Sequence, residues 1–293
     1  MPSDSRENLK GRFQVEKDMK FAIKSIVVAA AFVAAGAASA ASLTAGNSSS
    51  TFNGLYITGG TGTLTFDNFD ATTGTIEGSL VDVLNTGNVA VSAAGAAVPT
   101  ITGAVGEYTA VSVAAPVSVF TVDAAGTILT SGSSGGATQT AGYVKGISGG
   151  GTVSVTNLNI NLATKTIYAD IVGATSSTAT VAGSANLTQV AAWTYTSVTG
   201  PTAITGAGTY TNVFSGLTMT STAINAIKAS LDLKTNGFNA FNSAATTDFG
   251  TLTSTFTVAQ AATTPAVPEP STYALMGLGL VGIGLVARRR AAK

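Results

Sequence analysis

The residues in this sequence best able to do chemistry are few and mostly acidic. Asp67, Asn68 and Asp70 form its densest group of side-chain oxygens, the donor type that Ca²⁺ takes in sets of about six to eight. Their spacing departs from the calcium-loop pattern, so they read as solvent-facing strand ends and turns. Glycoside hydrolysis needs two convergent carboxylates. Glu77 and Glu107 are the only glutamates between residues 41 and 264, and nothing in the sequence brings them together. Trp193 and Tyr195, in Ala192-Trp193-Thr194-Tyr195, are two apart, which puts both rings on one face of a strand. That face is either a stacking platform for sugar or part of the core. Gly146 to Gly151 lacks the Gly-Lys-Ser/Thr ending that charges a phosphate loop.

The chain contains no Cys and no His. Zinc sites of the usual kind, thiol catalysis, Ser-His-Asp triads, haem ligation through His and disulfide-stapled folds each lose an essential residue. The expectation is a non-enzymatic body with no metal and no cofactor. Net charge is zero over 293 residues, but residues 41–264 hold four lysines against nine acids, a net charge of −5. Nucleic-acid binding depends on clustered Lys and Arg, and this acidic, weakly charged body offers none. It offers no electrostatic attraction to anionic lipid either.

The elements that would carry these residues are mostly strands. From Ala41 onward, Thr, Ser, Gly, Ala and Val alternate in short runs broken by Gly, Asn and Ser turns. Candidate strands are 54–58, 63–69, 75–84, 117–122, 152–162, 166–172, 190–198 and 251–258. The run from Gly62 to Asp70 resembles that from Gly151 to Asn159, and each is followed by a second alternating run, which predicts two related hairpins. In both, the apolar alternation slips by one residue at the Asn, so Asn68 and Asn157 are expected in equivalent β-bulges. No regular Thr-x-Thr array is sustained across repeats. One interior helix is expected, capped by Thr222, carrying Ile224, Ile227 and Leu231 on one face, and closed by Asn236-Gly237. The fold class is all-β: an antiparallel β-sandwich, a β-solenoid-like sheet or an irregular barrel, with one short packed helix.

The two ends read as addresses. Residues 1–18 carry eight charges and no apolar pattern, as in a start codon assigned too early. From Met19, Lys20 and Lys24 form a positive n-region, Ile26 to Ala35 an apolar run, and Ala38-Ser39-Ala40 an A-x-A cleavage signal before Ala41. Residues 19–40 therefore read as a Sec-type signal helix removed by signal peptidase. At the other end, Pro268-Glu269-Pro270 precedes an apolar stretch from Ser271 to Ala287 and then Arg288, Arg289 and Arg290. Flanking prolines hold Glu269 extended, a shape suited to an enzyme's groove. As a helix the apolar stretch would rise about 26 Å, just enough to span a bilayer. The arginines would remain on the cytoplasmic side as a membrane stop.

The segment VPEPSTYALMGLGLVGIGLVARRRAAK resembles the PEP-CTERM sorting segment of exported proteins in Gram-negative bacteria, with motif, hydrophobic span and basic tail in order. The same segment is also labelled an ice-binding protein C-terminal region, a name that implies nothing about the body. The resemblance implies that Pro268, Glu269 and Pro270 are recognised by a membrane enzyme of the exosortase type. It also implies export through the inner membrane, transient anchoring by the C-terminal transmembrane helix, and delivery to the cell surface or extracellular matrix, usually in makers of extracellular polysaccharide. The division is then 1–18, 19–40, a β-rich exported domain at 41–264, and a sorting segment at 265–293. The function expected is that of a structural or interaction protein of the envelope or biofilm matrix. The alternative is an exopolysaccharide-binding module, for which exposed Trp193 and Tyr195 would speak.

Overall fold

The computed structural model describes residues 40–66, 79–176, 183–262 and 270–291. The elements run β1 (Ala41–Thr44), β2 (Leu55–Phe66), α1 (Leu80–Thr86), β3 (Ala90–Ala94), β4 (Val98–Thr102), β5 (Ala110–Val122), β6 (Ile128–Ser133), β7 (Gly136–Ala141), β8 (Gly151–Asn161) and β9 (Thr166–Thr175). They continue with β10 (Ser184–Thr194), β11 (Ser197–Thr199), β12 (Gly208–Ser215), β13 (Thr218–Met219), α2 (Ser221–Ser230), α3 (Thr235–Thr247), β14 (Gly250–Gln260) and α4 (Pro270–Ala291). The strands join one antiparallel sheet in the order β11-β12-β14-β2-β5-β6-β8-β9-β10-β13, with β1 and β4 on β5 and β3 on β7.

The antiparallel all-β body expected from the sequence takes the form of one curled sheet. Two features shape the curl. Strand β5 serves both halves: residues 110–116 pair with β2 and β4, and residues 117–122 with β6 and β1. Pro116, which has no N–H to give a ladder, stands at the handover, and its carbonyl accepts from Ser134 N at 3.0 Å. Second, β11 opens the strand order and β10 stands one short of its other end, yet only Tyr195 and Thr196 separate them. That connection spans at most about 11 Å, so the ends of the sheet are drawn together.

Of the paired runs, the second forms the hairpin β8–β9, with its register shift between Thr156 and Asn159. Asn157 adopts φ 54° there, the left-handed conformation that Asn tolerates better than most residues. Over its described part the first run pairs elsewhere: both edges of Thr61–Thr65 are taken, by β14 and β5, and a strand has only two. Residues 67–78, with Asn68 and the expected turn, lie outside the described residues. The expected strand 75–84 ends in helix α1, whose Leu80, Val81 and Leu84 are buried, and whose N-cap Ser79 accepts from Asp82 N at 3.1 Å.

The single interior helix expected is joined by two others. It begins earlier than read: α2 is capped by Thr220, whose Oγ1 accepts from Ala223 N and donates to Ala191 O at 2.7 Å. Asn236-Gly237 opens α3 instead of closing α2. One apolar cluster lies between the curled sheet and α1, α2 and α3. A second is centred on Phe120, Tyr210 and Phe256, with the Tyr210 and Phe256 rings stacked at 5.3 Å.

The other face of β12, β14 and β2 gathers threonines from segments far apart in sequence. Thr211 meets Thr255 at 3.1 Å and Thr209 meets Thr257 at 3.3 Å. On the next strand Thr61, Thr63 and Thr65 stand opposite Thr255, Thr253 and Thr251. The array missing from the linear sequence is thus assembled by strand order.

Candidate functional site

The tail begins its helix at Pro270, the position where a ring-locked φ and missing N–H suit a first turn. Pro268 and Glu269 lie outside the described residues. Along α4, Tyr273, Leu275, Met276, Leu278, Leu280, Val281 and Ile283 are all exposed, Leu275 at 71%, so among the described residues its apolar surface has no cover. Arg288 is exposed beyond them. Among the described residues no helix is long and apolar enough to cross a membrane. The expected transmembrane helix is therefore a helix whose apolarity is diluted by Gly277, Gly279, Gly282 and Gly284. At the other end, Ala38 is outside the described residues, Ala40 is exposed, and Ala41 starts β1 opposite Val122. The expected cleavage point thus coincides with the first paired residue of the sheet.

Trp193 and Tyr195 are 2% and 4% exposed, so neither offers a sugar an open ring face. A register shift between Ala191 and Trp193 leaves both Ala192 and Trp193 buried, as a bulge does when it redirects a side chain. The Trp193 ring packs edge-on to Phe249 at 5.3 Å, and Phe249 to Phe66 at 5.6 Å. Tyr195 packs edge-on to Phe214 at 5.1 Å and donates to Asn161 O at 3.3 Å. Burial pushes its phenol up to about 12, because the charged form is poorly solvated there.

Among the described residues the carboxylates do not form a site. Glu107 is exposed on the loop before β5, while Asp67, Asp70 and Glu77 lie outside the described residues. Among the described residues no group of three or more Asp, Glu, His or Cys could hold a metal. Asp170 works structurally: it accepts from Asn157 Nδ2 at 2.8 Å, Gln189 N at 2.8 Å and Gln189 Nε2 at 3.1 Å. Asn157 and Gln189 both have positive φ and sit at register shifts on either side of β9. One carboxylate therefore fastens two bulges.

What the sequence did not reveal is a cavity of about 110 Å³ inside the curl, roofed by α1, α2 and α3, with walls almost wholly apolar. Gly62 and Ala115, directly opposite each other on β2 and β5, line it with small side chains where larger ones would fill the space. Trp193 and Gln139 also belong to the wall. Among the described residues Trp193 Nε1 and Gln139 Oε1 are buried without hydrogen-bond partners. Such an unmet group costs about 1–3 kcal/mol. Phe would line an apolar wall without that cost, as Phe66 and Phe249 do beside it.

Comparison with known proteins bears mainly on the tail. No curated protein matches the chain. Two solved structures from Corynebacterium glutamicum are similar at 12% identity: the heme binding protein HtaB, with a TM-score of 0.39 over 70% of this chain and 97% of that one, and the C-terminal domain of HtaA, with 0.34 over 70% and 99%. Residues 266–290 match the family described as the PEP-CTERM protein-sorting motif. They take in Pro268-Glu269-Pro270, most of the exposed helix and the three arginines, and the chain accordingly carries a PEP-CTERM protein-sorting motif.

Proposed function

We propose that this protein is exported, held briefly at the membrane by its C-terminal helix, and released to the cell surface or extracellular matrix of a Gram-negative bacterium, where its β body serves as a structural or interaction protein without catalytic activity. The observation that carries this reading is the match of residues 266–290 to the sorting motif, on a helix whose large apolar side chains face outward. Those side chains, unsupported by the body, favour a lipid environment, and the glycines between them favour a temporary stay over a permanent span. Glu269, between prolines, is the residue an exosortase-type membrane enzyme would read, after Sec export and removal of residues 19–40 by signal peptidase.

Glu269→Ala tests the reading. In cells with the sorting enzyme, the variant is expected to accumulate in the membrane fraction as a longer precursor, while the unaltered chain matures and leaves. Deleting the sorting enzyme should reproduce the same precursor. Normal maturation of Glu269→Ala would remove the basis for the assignment.

A further inference from the structure

We propose that the cavity inside the curled sheet is a binding site for a small, neutral, mainly apolar molecule carrying one hydrogen-bond acceptor, such as a short-chain or monocyclic ketone, ester or ether. The volume sets the size. At about 110 Å³ it is somewhat smaller than an engineered apolar cavity of roughly 150 Å³ that stays dry and admits benzene. The wall sets the polarity. No Lys, Arg, Asp or Glu lines it, so an ionised ligand would lose its hydration without a partner.

Trp193 sets the chemistry. Its indole donates and cannot accept, and its Nε1–H is buried and unmet. The bulge at Ala192 and the edge contact with Phe249 hold the ring in place, so the donor is oriented before a ligand arrives. A carbonyl or ether oxygen meets that N–H while the hydrocarbon part occupies the space beside Gly62 and Ala115. Room there is genuine: a Cβ built on Gly62 would find no atom nearer than Ala115 O at 4.0 Å.

Trp193 is the only tryptophan in the chain, so a ¹⁵N-labelled full-length protein gives one indole N–H signal, and that signal comes from the cavity wall. Titration with cyclopentanone, which suits a space of about 110 Å³, is expected to move it downfield to saturation, whereas cyclopentane binds without that downfield shift. By calorimetry, Trp193→Phe should bind cyclopentanone about 10-fold more weakly, the worth of one hydrogen bond, and bind cyclopentane unchanged. Gly62→Leu fills the space and should abolish uptake of both while melting cooperatively; Ala115→Leu serves if it does not fold. An indole signal that does not saturate, equal ketone affinity in Trp193→Phe, or undiminished uptake by the filled variant would each overturn the site. None of these outcomes bears on maturation of the tail.

Discussion

Asp170 shows how one side chain can fix local geometry over three strands. Its oxygens take hydrogen bonds from Asn157 and Gln189, and both of these donors have left-handed backbone that needs local support. Asp170→Ala is expected to lower stability by about 1–3 kcal/mol, read as a lower urea midpoint with unchanged slope. Tyr195 makes a separate prediction at high pH. Its folded phenol titrates near 12 against an ordinary 10, so the unfolded chain loses its proton first as pH rises. The stability it contributes is whole below pH 10 and drains away between 10 and 12. Urea midpoints measured across that window should fall in the parent chain and fall less in Tyr195→Phe. Trp193 and Tyr195 were visible in the sequence as a pair facing one way. Their burial was not, because it depends on Phe249, Phe214 and Met219, which belong to segments distant along the chain.

For the elements, neighbouring glycines on β2 make a paired test of how tightly β2 and β14 approach. A Cβ on Gly60 would come within 2.7 Å of the Phe256 backbone, whereas one on Gly59 would meet nothing. Gly60→Ala should cost about 1–3 kcal/mol as an overpacked contact. Gly59→Ala should stay within about 0.5 kcal/mol, both by thermal melting. Strands β8, β9 and β14 were legible because alternation over about ten residues is a strong signal, and the slip at Asn157 was legible as a bulge for the same reason. Helix α1 was not: Leu80, Val81 and Leu84 extend an apolar pattern that serves strand and helix alike over one turn. Helix α3 was hidden by Asn236-Gly237, a helix-ending pair that here stands in its first turn. The cavity could not be read at all, since it is a gap between elements and no run of residues encodes it.

Across the whole molecule, strand order departs furthest from chain order at β14. It is the body's last strand, yet it sits between β2 and β12. Cutting the chain after Asp248 should leave both neighbours with a bare edge, and bare edges recruit other chains. The truncated protein is expected to elute as aggregate in size-exclusion chromatography, where the parent elutes as a discrete species. For a polypeptide threaded across a membrane with its N-terminus leading, this late arrival has a consequence. The seat between the second and the third-last strands stays vacant until residue 260 has emerged, so the passenger remains pliable throughout its passage. Nine residues, 261–269, separate the newly seated strand from the helical tail, a reach of at most about 30 Å. On the proposed function, the final staple of the curl would therefore be driven home while the protein is still moored, and only a finished body would be cast off.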